Sequence, residues 1–481
     1  MRWQEFCARH QFEDGILVSE AKVVMWLQED LFKRRVAVPS KKPRSRLGKR
    51  KRAGTPAAAK AEIGSAELAL AAQLEIALDD LPAMVADDRG ASGDEQSSED
   101  EDGGGQGGSL LKFSTIEVYV AAVAELWSVQ LSMGLHSHAL LRGPALNQEL
   151  DKRRSQSDQQ ARQDYADRGA GGLNSGYTDA EFLQMNKLLL VQAAQRPQSL
   201  RTRVDALFGH YLVLRGQARR MAELCDLSII TYPRTEGPTP CHAVVLQTTN
   251  GKTNRNGKKN YMGAMRHKDP YLCTMGALAQ YLFWRWHISG ELQPSFKRRK
   301  DWYNTKLLVG DDKDTEIAYN TQYTETWKAF AAAGINSVQK THVMRGAGAR
   351  AAELHGVSEQ QINRAGLWSR SSMTSAYLTG LPLKFLRKMA GFTASEGSYH
   401  IARAGHQPPA DLLLQVWPWI EEWDRRFAAR AEKRRWKEGG LDDEDLAGAG
   451  FLQLMKQLRE VLLQDLAVLQ PRRSRSLQEA V

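Results

Sequence analysis

Six residues between positions 220 and 377 are of types that can bind and break a phosphodiester bond. Two arginines can hold phosphate oxygens in bidentate fashion, and they stay charged at any working pH. A histidine and a tryptophan indole add N–H donors, and a lysine can protonate the departing oxygen. A tyrosine hydroxyl can attack phosphorus and keep the bond energy in a covalent link. In chain order these residues are Arg220, Lys252, His342, Arg345, Trp368 and Tyr377.

Two of these assignments required a choice between neighbouring residues. The pattern Arg-x-x-Glu-Leu-x-x-Leu selects Arg220 over Arg219. A second His-x-x-Arg pair, His400 with Arg403, is less favoured because no tyrosine follows Tyr399. The pair that contains Arg345 is instead followed by a tryptophan and then a tyrosine.

The lysine assignment leaves alternatives open, because Lys258 and Lys259 follow Lys252 in the same predicted turn. The chain shows no metal-spaced set of histidine, cysteine and carboxylate residues and no Walker loop. The four cysteines form no CxxC pair, which argues against a zinc ribbon or a disulfide scaffold. The sequence therefore predicts chemistry that uses no metal, no ATP and no small-molecule cofactor.

Apolar spacing and capping patterns predict a mainly α-helical chain with a small antiparallel β-sheet, an α+β fold. The sequences STIE at 114–117 and TDAE at 178–181 are capping boxes that predict two helix starts. A helix over 199–225 and strands within 227–265 follow, with turn residues between the strands. A helical tail carries an apolar face that favours core packing or a contact between protomers: Met455, Leu458, Leu462, Leu466 and Leu469.

The ordered set of Arg, Lys, His-x-x-Arg, Trp and Tyr resembles the tyrosine recombinase (phage integrase) superfamily. The segments HKDPYLCTMGALAQYLFWRW, INRAGLWSRSSMTSAYLTGLP and VWPWIEEW are similar to two of its branches, the Crypton recombinases and the DNA-binding subunit of the fungal point-centromere complex. The resemblance covers about 111–425. It implies a helical core-binding domain and a catalytic domain that clasp duplex DNA, and assembly as a homo-oligomer on DNA. The centromeric branch has kept the fold while losing much of the active site.

Composition changes along the chain predict five segments. The acidic Gly- and Ser-rich sequence SGDEQSSEDEDGGGQGGS cannot bury enough apolar surface to order itself. The predicted division is an N-terminal helical segment at 1–38, a disordered basic and acidic linker at 39–110, a helical core-binding domain at 111–198, a tyrosine-recombinase-like catalytic domain at 199–425, and a helical tail at 426–481.

The overall charge favours a polyanionic partner. Among 481 residues, 66 Lys and Arg stand against 56 Asp and Glu, for a formal net charge of +10. Double-stranded DNA is the first expectation. No run approaches the 18 apolar residues of a membrane span, so no membrane association is predicted.

Eight basic residues lie within the twelve from Lys41 to Arg52. The run predicts a nuclear-import signal, and hence a nuclear protein, or a clamp on the DNA backbone. A solvated basic linker is the alternative.

Further basic residues could neutralise DNA phosphates, although each could also belong to a solvated face. They are Arg201, Arg203, Lys258, Lys259, Arg266, Lys268, Lys297, Arg298, Arg299 and Lys300.

Two classes of function follow from these observations. The first is DNA strand cleavage and rejoining through a 3′-phosphotyrosyl intermediate at Tyr377, as in a Crypton-like recombinase. The second is non-catalytic DNA binding of the centromere-subunit type. A type IB topoisomerase uses similar groups and is less favoured.

Overall fold

A computed structural model describes residues 2–34, 110–136, 141–163, 176–249, 257–337, 340–368, 380–435 and 445–478. The chain forms two compact units, Met1–Arg168 and Gly169–Val481. Each unit has a hydrophobic core of its own. No helix within the described ranges is both long enough and apolar enough to cross a membrane.

The first unit is helical. Its elements are α1 (Arg2–His10), α2 (Glu20–Trp26, continued by a π-turn at Leu27–Leu31), α3 (Phe113–Ser132) and α4 (Pro144–Gln163). Trp3, Phe6 and Trp26 pack together at one end of its core. The buried amide of Gln130 ties α3 to the loop before α2, since it accepts from Val18 N and donates to Ile16 O. The N-terminal helices thus share one core with the helices at 113–163. In the sequence, 75 residues (35–109) lie between the described range that ends at 34 and the one that begins at 110.

The second unit carries the sheet and the remaining helices. The helices are α5 (Asp179–Gln192), α6 (Gln198–Tyr211), α7 (Gly216–Met221), α8 (Thr274–Phe283, continued by a π-turn at Trp284–Ile288), α9 (Tyr319–Ala332), α10 (Lys340–Leu354), α11 (Glu359–Ala365), α12 (Leu383–Met389), α13 (Ala410–Gln415), α14 (Trp419–Arg435) and α15 (Leu446–Gln478). Helix α5 packs on α6, and both belong to the second compact unit. The predicted domain boundary at 198/199 stays a prediction.

The sheet has three antiparallel strands in the order β1 (Leu227–Tyr232), β2 (Cys241–Thr248) and β3 (Asn260–Met265). Leu227 pairs with Leu246 across β1 and β2, and Ala243 pairs with Met265 across β2 and β3. The central strand β2 is buried along most of its length, including the apolar run at 243–246. The predicted α+β class, mainly helical with a small antiparallel sheet, is confirmed.

The predicted helix over 199–225 is two helices. Helix α6 ends at Tyr211, and α7 begins at Gly216. Between them Val213 has φ of +52°, a left-handed conformation that is rare for a β-branched residue. The chain therefore leaves the first helix after Tyr211 and enters a second one at Gly216.

The two capping patterns had different outcomes. Thr178 and Glu181 form a complete capping box at the start of α5, as predicted. The prediction for STIE was wrong: α3 begins at Phe113, which places Ser114 inside the first turn.

The tail helix α15 belongs to the core of the second unit. It packs against β1 and α8, and Phe451, Met455, Leu458 and Leu462 are buried. Asp465, which has no exposed surface, accepts from Arg266 Nη2 and from Arg403 Nε, both at 2.6 Å. The apolar face of the tail is therefore used within the chain.

Candidate phosphate-binding site

Arg345 lies in the second turn of α10, where its guanidinium bridges two helix ends. Its Nη1 donates to Val213 O just beyond α6, and its Nη2 donates to Gly366 O just beyond α11, both at 2.6 Å. Carbonyl groups at a helix C-terminus carry partial negative charge and attract a cation. The position of this guanidinium is thus fixed by the ends of two helices.

Trp368 covers the same guanidinium. Its indole ring lies 4.5 Å from the Arg345 guanidinium carbon, and the side chain is 42% exposed. The ring also folds back over Gly366, where an added Cβ would collide with it. A cation over an indole face is a favourable arrangement. Arg345 and Trp368 therefore form a cation–π pair at the surface.

Backbone strain flanks both acceptors of Arg345. Val213 is itself left-handed, and Leu367, directly after Gly366, has φ of +55°. Leu367 occupies the position after a helix end that usually carries glycine, and Trp368 N closes the turn by donating to Asn363 O at 2.9 Å. Non-glycine residues in this conformation are found preferentially at functional sites.

Arg220 lies on α7 and contacts the first turn of α9. Its Nη1 donates to Gln322 Oε1 at 2.7 Å, and its guanidinium lies 5.2 Å from the centre of the Tyr319 ring. Gln322 is 2% exposed and donates in turn to Asp205 Oδ1 at 2.8 Å. A hydrogen-bonded chain from Asp205 through Gln322 therefore positions Arg220.

Arg219, the alternative to Arg220, is buried in the core and hydrogen-bonded there. It is 1% exposed, and its Nε donates to Asp205 Oδ1 at 2.6 Å. It also donates to Leu214 O at 2.7 Å. With its charge met by a buried carboxylate, this residue supports the fold.

The segment 213–216 connects the surroundings of the two arginines. Arg345 bonds to its first residue, Val213. At its other end, a Cβ on Gly216 would lie 3.7 Å from Arg220 Nη1 and 3.4 Å from Thr341 Cβ. Thr341 directly precedes the half-buried His342 in the first turn of α10. The segment thus has Arg345 bonded to its first residue and Arg220 close to its last, while Trp368 covers the Arg345 guanidinium.

The other two predicted catalytic residues, Lys252 and Tyr377, lie outside the described residues. Their roles stay predictions. No group of three metal-binding side chains occurs in the part of the chain that the structure describes.

The second His-x-x-Arg pair has a structural role. Arg403 is ion-paired with the buried Asp465 and donates to His267 O and Lys268 O at 2.6 Å. Tyr399 is 1% exposed, its hydroxyl donates to Arg266 O, and burial raises the pKa of its hydroxyl well above the usual range. A tyrosine held in this way is not placed to attack a phosphate.

The predicted DNA-contacting residues fall into two groups. Seven side chains are exposed: Lys258, Lys259, Lys268, Lys297, Arg298, Arg299 and Lys300. Among them, Arg298 forms an ion pair with Asp301 at 2.8 Å.

The other group faces inward. Arg203 has no exposed surface and donates to Gln280 Oε1 and to Tyr271 O. Arg266 is 6% exposed and pairs with Asp465, and the half-buried Arg201 donates to Val309 O. Arg203 and Arg266 are corrected to structural residues, because their charges are met inside the fold.

Sequence reasoning missed the groups that position Arg220. Asp205 lies 15 residues earlier and Gln322 lies 102 residues later. Neither belongs to a local motif, so no signal in the sequence would have joined them.

The second unit is therefore a mainly helical domain in which one short loop bonds to Arg345 and lies close to Arg220, with the exposed Trp368 over the Arg345 guanidinium. The sequence of the chain matches a family model described as the centromere DNA-binding protein complex CBF3 subunit, domain 2, over residues 131–472, which include the end of the first unit. The match covers well over half of the chain, and the chain belongs to this family. No curated protein matches it.

Among solved structures, the chain is similar to a Flpe mutant–DNA Holliday junction complex. The sequence identity is 10%, and the match covers 70% of this chain and 72% of that chain with a TM-score of 0.33. Similarity at this level has no bearing on function.

Proposed function

We propose that the second unit binds duplex DNA and holds one DNA phosphate at Arg220 and Arg345. The observation that carries this proposal is the fixed guanidinium of Arg345, bonded to the ends of two helices and covered by the exposed Trp368. A guanidinium whose position is set before DNA arrives loses little conformational entropy on binding a phosphate.

Three further observations support DNA as the ligand. The family is described as DNA-binding. The formal net charge is +10. The exposed run from Lys297 to Lys300 and the exposed Lys258 and Lys259 offer additional phosphate contacts. Membership of a centromere family also supports the proposal that the protein works in the nucleus. The candidate import run, Lys41 to Arg52, lies outside the described residues.

The catalytic form of this proposal is a Crypton-type recombinase in which Tyr377 attacks the phosphate held by the arginines. The Tyr oxygen–phosphorus bond forms as the bond from phosphorus to the 5′-oxygen breaks. The tyrosine hydroxyl passes its proton to His342 as the base, and the 5′-oxygen leaves with a proton from Lys252. Its support is the order of the residues in the chain and the position of Arg345 and Arg220 at the two ends of the segment 213–216. Non-catalytic DNA binding of the centromere-subunit type agrees equally well with the family match.

A half-site suicide substrate separates the two forms. The full chain is incubated with it and resolved by denaturing electrophoresis. A catalytic protein traps a covalent adduct that Tyr377→Phe abolishes and that Tyr399→Phe leaves intact, because Tyr399 is buried. Duplex binding with no covalent adduct on any substrate would refute the catalytic proposal and would agree with non-catalytic DNA binding. The full chain is required because α15 is part of the core.

A further inference from the structure

Three aromatic residues follow each other at four-residue intervals on α9: Tyr319, Tyr323 and Trp327. Tyr323 is 36% exposed and Trp327 is 50% exposed, whereas Tyr319 is half-buried. The ring centres of Tyr319 and Tyr323 are 6.2 Å apart. This separation matches the rise of about 6 Å over four helical residues. We call these three residues the aromatic row.

The aromatic row starts at the proposed phosphate site and leads outward. The Arg220 guanidinium lies over the Tyr319 ring. Gln322, three residues further along the helix, accepts a hydrogen bond from the same guanidinium. The core-facing side of α9 is formed by other residues, among them Thr326, Ala329 and Phe330. The exposed rings are thus not needed for the core of the unit.

The side chains on α9 and bonded to it carry more positive than negative charge, while the exposed loop just before the helix is acidic. Glu325 is the only acidic residue of this helix. Its carboxylate is ion-paired with Arg196 and with Lys328, so two cations meet its single charge. Arg220 adds a third cation at the start of the row.

We propose that the aromatic row stacks unpaired bases of the DNA strand whose phosphate lies at Arg220. Aromatic side chains next to cationic groups are the common way in which proteins bind single strands without reading their sequence. The 6.2 Å between the Tyr319 and Tyr323 rings is nearly twice the rise of about 3.4 Å between bases in duplex DNA. Bases can therefore meet successive rings only when the strand is unstacked. This inference rests on the proposed function.

The test compares an intact duplex with the same duplex carrying a gap of several unpaired nucleotides. Binding of the full chain is measured by fluorescence anisotropy. Trp327→Leu and Tyr323→Leu remove the aromatic ring but keep an apolar side chain, while Trp327→Phe and Tyr323→Phe keep a ring. We expect each Leu variant to lower affinity for gapped DNA by about 5- to 150-fold, the range of one stacked base. The Phe variants should keep most of the affinity, and intact duplex should bind all variants equally.

Several outcomes would overturn the inference. Leu variants that bind gapped DNA like the wild type would show that the row does not stack bases, and a simultaneous loss of self-association would assign it to a protein contact. Leu and Phe variants that lose affinity equally would exclude stacking as the cause. A wild-type protein that binds neither DNA would refute the proposed function, and the inference with it. A wild type that binds intact and gapped DNA equally would refute the inference alone.

Discussion

Gly348 on α10 allows that helix to lie directly against the backbone of α6. A Cβ at this position would lie 3.0 Å from the carbonyl carbon of His210 and 3.2 Å from its Cα, and closer still to the oxygen. None of these atoms can rotate away, because all belong to the backbone. Gly346, two residues earlier on the same helix, has no atom within 4 Å of the corresponding position.

This pair of glycines gives a matched comparison. Ala replaces Gly in a helix with a gain of about 1 kcal/mol, and that gain is common to Gly348→Ala and Gly346→Ala. The difference between the two variants therefore isolates the collision with α6. Overpacking of this kind costs about 1–3 kcal/mol, and more where the neighbours cannot move. We expect Gly346→Ala to be slightly more stable than the wild type and Gly348→Ala to be less stable than Gly346→Ala by at least that amount.

Urea denaturation followed by tryptophan fluorescence measures this difference from the transition midpoints. Because α6 ends beside Val213, the acceptor of Arg345, Gly348→Ala should also weaken DNA binding, and Gly346→Ala should not. Equal midpoints for the two variants would show that α6 and α10 do not pack as described. The position of Arg345 on α10, next to the end of α6, would then also be refuted.

Two more predictions concern the buried charges of the second unit. Asp465→Asn leaves two buried arginines without their shared carboxylate and should lower the free energy of unfolding by about 3–5 kcal/mol. The same change at Asp424, which is 53% exposed and paired with Lys456, should lower it by no more than about 1 kcal/mol. Equal urea midpoints for the two variants would contradict the buried network. Burial lowers the pKa of His210 to about 3, below its ordinary 6.5. Between about pH 3 and pH 6.5 this histidine is therefore protonated in the unfolded chain and neutral in the folded chain. Stability should be full above pH 6.5 and fall by about 1 kcal/mol from this residue between pH 7 and 5.5, a loss that the urea midpoints of His210→Phe should lack.

The local parts of the fold could be predicted from the sequence. Strand patterns and turn residues gave the sheet, and the capping box at Thr178 gave the start of α5. His342 and Arg345 lie at the start of a helix, as predicted. These features depend on residues a few positions apart, where short-range rules hold.

The long-range parts could not be predicted. The break after Tyr211 has no glycine or proline at Leu212 to Leu214 to mark it, since Val213 is held left-handed by its surroundings. The sequence also does not reveal whether a basic side chain finds its hydrogen-bonding partners inside the fold. Arg203 and Arg266 looked like DNA contacts for that reason, yet their partners lie 60 or more residues away.

The salt dependence of DNA binding by Arg345→Gln tests the central proposal most directly. The affinity of the full chain for duplex DNA is measured from about 50 to 200 mM salt, where each phosphate contact contributes about −0.9 to the slope of log K against log salt. We expect Arg345→Gln to reduce the magnitude of the slope by about one contact, and Arg426→Gln, on the exposed face of α14, to leave it unchanged. An Arg345→Gln protein that stays folded and binds with the wild-type slope would contradict a phosphate at this site.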